Sequence, residues 1–377
     1  MRELALLFLK LGAIAFGGPA AHIAMMEEEV VKRRQWITHE YFLDLIGATN
    51  LIPGPNSTEM AIHIGYLRGG WKGVIVAGVS FIVPAATITT IFAFLYVTYG
   101  SLPQLGPFIA GIRSAIIAVI LEAIIRLSKP ITKNPFIIIM AVVVMILSLI
   151  GLNEILLLFG AGAIGLLWNY RQRLNQSLTS LLSFLPIVSS SPLNNPATIA
   201  IPASVTLVGL GLLFLKIGST LFGSGYVLVA YLQGELVESR HWITQSQLLD
   251  AIAVGQFTPG PLSSTATFIG YVVLGIPGAL IATAGMFLPA FVFVVASSPF
   301  IPKLRKSPFA RGFLDGVNGA SLGLMAAVTV ILAVSALTSV ITWSIFIVAI
   351  LVIMSWNLNS GWIVAGSAAL GWLVSKL

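Results

Sequence analysis

Two short stretches carry the residue types on which chemistry can be built: NLIPGPNSTEM (residues 50–60) and QFTPGPLSSTA (256–266). In each, a Pro-Gly-Pro triplet breaks an apolar run and is followed at once by small polar residues. These are Asn56, Ser57 and Thr58 in the first and Ser263, Ser264 and Thr265 in the second. Such residues favour helix starts, so each stretch predicts a half-helix whose first N–H groups and hydroxyls point away from the break. A helix N-terminus carries partial positive charge and suits an anion. Two more breaks, Phe16-Gly17-Gly18-Pro19 and Phe222-Gly223-Ser224-Gly225, interrupt other apolar runs in matching fashion. The expected chemistry is an oxyanion cradle with Gly17, Gly18, Gly54, Gly223 and Gly260 letting the backbone approach. The plain alternative is that proline and glycine only kink packed membrane helices.

Ionisable residues inside apolar segments are the next candidates, because charge at membrane depth is costly and marks function. Lys10 and Lys216 occupy matching places, as do Asp44 and Asp250. The lysines read either as cationic partners for an anion or as side chains reaching towards an interface. The aspartates read either as caps at segment ends or as proton-coupling groups. His22, Glu59, His63, Arg113, Glu122 and Arg126 have no counterpart. Glu59 and His63, spaced i, i+4, share a helix face and form either a proton-carrying pair or a structural one. The coupling candidates are thus His22, Glu59, His63, Asp44 and Asp250.

Other chemistry finds no residues. The four histidines, at 22, 39, 63 and 241, lack metal-site spacing, and there is no cysteine. No nucleophile motif or phosphate loop occurs, so neither an enzyme, a metal site nor a cofactor is expected.

The elements that must position these residues lie in a membrane. The 377 residues are 57% hydrophobic and only 9% charged, with mean hydropathy +0.99; a soluble domain carries about 25% charged residues. Runs such as 74–98 are long enough to span a bilayer. The pI of about 9.7 fits Lys and Arg in cytoplasmic loops rather than nucleic-acid binding, since basic residues never cluster into a large patch.

The chain is also duplicated. FLKIGSTLFGSG (214–225) repeats FLKLGAIAFGGP (8–19), an offset of 206, and WIT (242–244) repeats WIT (36–38). After a one-residue deletion beyond the Pro-Gly-Pro triplets, the offset of 205 pairs Gly70 with Gly275 and Pro84 with Pro289. The organisation is therefore a first repeat over 1–170, a linker over 171–206 with room for an extra crossing, and a second repeat over 207–377. Basic clusters sit at opposite turns in the two copies, as antiparallel halves require. The expected fold is an all-α polytopic membrane protein. Its two homologous halves are inverted, its helices are broken or re-entrant at Pro-Gly-Pro, and it has about 10–13 membrane segments. Six apolar segments per half would leave the halves parallel, so the parity must change. Either the linker crosses once more, or the Pro-Gly-Pro segments turn back and leave five crossings per half. The loop 27–40 is external in the first case and cytoplasmic in the second.

These residues bring a resemblance into view. FGGPAAHI (16–23), WI (36–37), NLIPGPNSTEMAIHIGY (50–66) and GWKGVIVAGVSFIVPA (70–85), with FGSG, TPGP and FLPAF in the second copy, resemble the signature of the chromate ion transporter family. The likeness covers nearly the whole chain and is to the long, two-domain members. It implies export of chromate across the bacterial inner (plasma) membrane, with resistance to chromate, driven by the membrane potential or a proton gradient. Sulfate, another tetrahedral dianion, is the alternative passenger; a channel-like protein without coupled transport is the alternative class. Besides the anion, the only implied partner is lipid. The oligomeric state is open, a homodimer included. The second copy departs at Ser224-Gly225 and at Leu228, which stands where His22 does, so His22 has no symmetric role.

Overall fold

The structure is a computed structural model. It describes residues 1–374 apart from 17, 101, 103–104, 130–133, 175–204, 223–224, 299–307 and 357–359. Every regular element among the described residues is helical.

The chain opens with a helix that is too short to cross. α1 (Arg2–Ile14) has 13 residues, about 20 Å at 1.5 Å per residue, against a hydrocarbon core of about 30 Å. Leu4, Leu7, Phe8 and Leu11 form its buried stripe. It stops at Ala15, where ψ turns extended. α2 (Gly18–Glu27) restarts with Gly18 at φ +76° and continues into a π-helical turn, Glu28–Arg33. Two ion pairs fix the direction of return: Lys10–Glu29 at 3.0 Å and Arg34–Glu3 at 2.6 Å. α1 and α2 therefore form a hairpin that dips in and comes back. By hydropathy alone the apolar run 4–26 looks like a crossing; the break at Ala15–Gly18 and the two ion pairs turn it back instead.

The Pro-Gly-Pro segment makes a second hairpin. α3 (His39–Thr49) begins at Thr38, the threonine of WIT, whose hydroxyl accepts from the Tyr41 N–H. After the triplet, α4 (Asn56–Tyr99) is split by Gly69 and Gly70 into 56–68 and 71–99. Gly70 at φ +53°, ψ −139° is a conformation open to glycine alone. The two parts fold against each other: a Cβ on Gly65 would strike the Gly73 carbonyl and the Ala77 side chain. Small residues let backbones approach this closely in membranes. The Arg68 guanidinium lies 4.7 Å above the Trp36 ring, so the exit of this hairpin meets its entrance.

In the rest of the half, 71–99 of α4 and α5 (Gly106–Ser128) are long and apolar enough to cross, and the shorter apolar helices α6 (Pro135–Leu149) and α7 (Glu154–Leu174) follow. The second half repeats the scheme. α8 (Leu207–Thr220) turns back through Gly225–Val227, α9 (Leu228–Leu232) and the π-helical Gln233–Ser239, with Lys216 on Glu235 repeating Lys10 on Glu29. α10 (Gln245–Phe257) starts at Thr244 with a full capping box, and α11 (Thr265–Ser297) is split at Leu274 and Gly275. α12 (Pro308–Ala336), α13 (Val340–Trp356) and α14 (Ser360–Val374) complete it. Asp44 and Asp250 lie well inside α3 and α10, while Thr38 and Thr244 do the capping expected of them.

The halves are inverted. α12 is the counterpart of α5, yet the two run oppositely. Gln245, at the start of α10, donates to the Ile331 carbonyl near the end of α12. Five residues further on, Asp250 binds Arg113, near the start of α5. α5 thus begins at the face where α12 ends. Reciprocal pairs agree: Gly312 and Gly316 of α12 run antiparallel along Asn169, Gly165 and Ala161 of α7, and Gly371 and Ser367 of α14 run antiparallel along Pro107 and Gly111 of α5. Of the six segments per half that hydropathy counts, two fold as hairpins, two are long and apolar enough to cross and two are shorter apolar helices. Loop 27–40 and residues 68–72 share one face, as the re-entrant topology requires, and the first hairpin of each half removes one further segment from the crossings. α7 ends on that face and α8 begins on the other; the linker itself lies mostly outside the described residues. Arg2, Lys32, Arg33, Arg34, Arg68, Lys72, Lys129 and Arg311 gather at the first face. Arg240 sits at the opposite one.

The hairpins yield a labelling prediction, made simple by a chain with no cysteine. Single cysteines at the exposed positions Glu40 and Lys72 should react with an impermeant maleimide from one side of the membrane, and those at Leu152 and Ser239 from the other. Glu40 and Lys72 reacting from opposite sides would refute the second hairpin.

Candidate functional site

The four breaks meet at the centre of the molecule, and they are tied crosswise between halves. The Gly54 N–H donates to the Leu221 carbonyl at 2.7 Å, and the Gly260 N–H donates to the Ala15 carbonyl at 2.8 Å. Ala15 and Leu221 are the residues on which α1 and α8 end, with carbonyls no longer used by a helix. Each half thus supplies the donor that closes the other half's broken helix. The tips also touch directly: a Cβ on Gly18 would lie 3.4 Å from the Tyr226 hydroxyl, and one on Gly225 3.8 Å from the Pro19 ring. Gly17 and Gly223 lie outside the described residues.

The triplet glycines are required by conformation and by space. Gly54 has φ +145° and Gly260 φ +94°, both in the region that side chains avoid. A Cβ on Gly260 would come within 2.7 Å of the Ala85 methyl and 3.0 Å of the Gly12 carbonyl. One on Gly54 would strike the Glu59 carboxylate and touch the Ala290 methyl at 3.5 Å. Ala85 and Ala290 are repeat partners, each following the proline inside its helix (Pro84, Pro289), so the crossing is two-fold in its packing as well as in its hydrogen bonds.

Around this centre lie the expected donors. Ser57 and Thr58 are buried in the first turn of α4, and the Thr58 hydroxyl has no partner among the described residues. Pro55 is the residue at the cap, and its carbonyl takes the Thr58 and Glu59 N–H groups at 2.8 and 3.0 Å. The Asn56 amide is bonded to Asn50 at 2.8 Å. Ser263 and Ser264 are buried in a 3-10 turn, Leu262–Ser264, that leads into α11. The Thr89 hydroxyl donates to Ser264 at 3.3 Å, and the Thr265 hydroxyl is committed to the Leu262 carbonyl.

The ionisable candidates divide. Lys10 and Lys216 each hold a glutamate, Glu29 and Glu235, away from the breaks, which leaves the centre without them. Glu29 and Glu235 are themselves 206 apart, a signal present in the sequence and not drawn from it. Asp250 is clasped by Arg113 through two bonds of 2.7 Å and by the Tyr96 hydroxyl at 2.8 Å, which ties α10 of one half to α4 and α5 of the other. Nothing in the pattern of types pointed to that cluster. His22 donates from Nε2 to the Ala15 carbonyl at 3.1 Å, a tautomer assigned because a carbonyl only accepts. That carbonyl therefore receives two donors. Glu59 and His63 share a helix face, yet no hydrogen bond joins them: His63 Nδ1 faces the Ser298 hydroxyl at 3.4 Å, and both Glu59 oxygens lack a partner among the described residues. Asp44 is half-buried within α3.

If the crossing bonds hold the centre, Gly260→Ala should lower unfolding stability by about 2–4 kcal/mol, from left-handed strain and overpacking together. Gly366→Ala, with open space around it in α14, should cost nothing. Thermal unfolding in detergent measures both; a Gly260→Ala variant as stable as the parent would show that the crossing does not hold the centre.

Comparison with known proteins places the chain. The family model for the chromate transporter matches twice, over residues 2–166 and 208–372. A chromate transport protein of Cupriavidus metallidurans is 31% identical over 98% of this chain and 92% of its own length. A probable chromate transport protein of Synechococcus elongatus is 31% identical over 95% and 91%, and a chromate transport protein of Pseudomonas aeruginosa 30% identical over 97% and 91%. No solved structure matches. With one family model covering both halves of an inverted, break-centred membrane fold, the chain belongs to the chromate transporter family.

Proposed function

We propose that this multi-pass membrane protein exports chromate by alternating access, binding the dianion between the half-helix N-termini at Asn56–Thr58 and Leu262–Thr265. The observation that supports the reading is the pair of crossed bonds, Gly54 to Leu221 and Gly260 to Ala15, which ties each Pro-Gly-Pro break to the broken helix of the other half. Ser57, Thr58, Ser263 and Ser264 are buried just beyond those breaks, and N–H groups with hydroxyls suit a tetrahedral oxyanion. Relatives named as chromate transport proteins support the passenger.

The face that gathers the basic residues is the cytoplasmic one by the positive-inside rule, in the cell's inner membrane. A dianion leaving a negative interior gains about 4.6 kcal/mol per 100 mV, at about 2.3 per charge. That sustains a gradient on the order of 10³-fold, so export needs no nucleotide. Sulfate has the same charge and shape, and donors of this kind discriminate the two poorly.

Cells carrying the protein should accumulate less chromate than cells without it, and equal accumulation would overturn export. In proteoliposomes, Ser57→Ala with Thr58→Ala, or Ser263→Ala with Ser264→Ala, should weaken chromate affinity about tenfold or more, the worth of hydrogen bonds to a charged group. Unchanged affinity in both pairs removes the cradle. Equal competition by sulfate would make chromate one passenger among similar anions.

A further inference from the structure

The two N-termini of the cradle are not alike. In the first half the chain places a carboxyl group where the anion would sit. Glu59 is fully buried, and neither of its oxygens has a partner among the described residues. Its side chain folds back towards the start of its own helix, close enough to Gly54 that a Cβ there would strike it. Glycine at 54 is what leaves room for this conformation. The second half has Ser264 and Thr265 in the corresponding turn and Phe268 in place of His63, so its N-terminus carries no such group.

We infer that the Glu59 carboxyl group is a built-in occupant of the first N-terminus, and that an oxyanion binds there only when Glu59 carries a proton, so that proton and anion are bound together. The inference rests on the oxyanion cradle proposed above. A carboxylate and a dianion cannot share one helix terminus, because like charges at that distance repel in a low dielectric. Protonation neutralises the side chain and leaves the N–H groups and the Ser57 and Thr58 hydroxyls to the incoming anion.

Among the described residues, no lysine or arginine near Glu59 is free to neutralise it. On α1, Lys10 is held by Glu29, and Glu3 by Arg34. On α2, Glu27 pairs with His39, and His22 is spent on the Ala15 carbonyl. α3 offers Glu40, exposed at the membrane face, and Asp44, both of which carry the wrong sign. α10 offers Asp250, bound by Arg113 and Tyr96. α11 contributes no Asp, Glu, Lys, Arg or His. On α4 itself Arg68 stacks over Trp36 and Lys72 is exposed at the same face; His63, whose Nδ1 faces Ser298 and whose Nε2 has no partner among the described residues, makes no hydrogen bond to Glu59.

The proton balance is simple. One proton from the cytoplasmic solution adds to the Glu59 carboxylate as the anion enters, and the same proton leaves when the anion is released and the carboxylate returns. A dianion carried this way moves one net negative charge instead of two, which keeps export electrically downhill and adds a dependence on the pH difference.

The test is equilibrium binding of chromate to the purified protein at alkaline pH, where chromate itself is doubly charged, with proton uptake read by an indicator in weak buffer. The parent protein should lose affinity as pH rises, by up to tenfold per unit, and take up as much as one proton per anion. Glu59→Gln should bind with an affinity that no longer depends on pH and take up none. Chromate binding by the parent without proton uptake at any alkaline pH overturns the inference, whatever the variant does, and leaves the cradle standing. A Glu59→Gln variant that binds with the parent's full pH dependence also overturns it. No chromate binding by the parent at all would instead remove the cradle on which the inference rests.

Discussion

Broken backbone at membrane depth has to find hydrogen-bond partners, and everything central in this protein follows from how it does so. Unsatisfied N–H and C=O groups cost several kcal/mol each in hydrocarbon. Two breaks in each half would otherwise need local remedies of their own. Here each half lends its Pro-Gly-Pro glycine to the other, Gly54 to Leu221 and Gly260 to Ala15. Neither half can be completed alone. The inverted arrangement is the geometry in which the same bond forms twice, and the left-handed glycines, the inward Ala85 and Ala290 and the prolines before them follow from the closeness that these bonds impose.

The scaffold is symmetric and its charges are not. The Lys–Glu pair, the Arg–Trp stack and the threonine cap occur in both halves, as Lys10–Glu29 and Lys216–Glu235, Arg34 on Trp36 and Arg240 on Trp242, and Thr38 and Thr244. These hold the hairpins at the membrane faces, where geometry matters and sign of transport does not. Glu59, His63 and His22 occur in the first half only, all close to the breaks. The Arg113–Asp250 pair with Tyr96 also lacks a twin, since Asn318 stands at the position repeating Arg113. The groups near the centre have diverged while the framework around them has stayed two-fold.

Much of this was legible beforehand, and the reasons for the rest are physical. Duplication at 206 and then 205 residues located all four breaks and paired them, because glycine and proline at membrane depth have few alternatives. Opposite placement of basic clusters indicated inversion. What hydropathy cannot supply is direction. An apolar run of two short helices that turns back looks like one that crosses, so 4–26 read as a span. Its signals were a glycine-rich tip and a lysine with a glutamate 19 residues on, which only a hairpin brings together. The crossing bonds had no signal at all, since backbone carbonyls look alike whatever their residue. Lys10 and Lys216 read equally as anion partners or as side chains reaching for an interface, because their own carboxylates lie in the next segment.

Those carbonyls also decide the sign of the centre. α1 and α8 bring the negative ends of their dipoles inwards, while α4 and the turn into α11 bring positive ends. Left alone, the two would cancel, and a cavity between them would favour neither sign. The crossed bonds remove that balance by using up Ala15 and Leu221 as acceptors, and at Ala15 the His22 imidazole occupies the second lone pair. Of the donors that begin α4, the Thr58 hydroxyl has no partner among the described residues, and the Glu59 carboxyl group folds back over the same turn. The crossed bonds thus take up acceptors at the centre, and the Glu59 carboxyl brings a group of that kind back to it. On the reading proposed above, an anion at the centre draws on helix N-termini rather than on Lys10 and Lys216, which Glu29 and Glu235 hold at the hairpins.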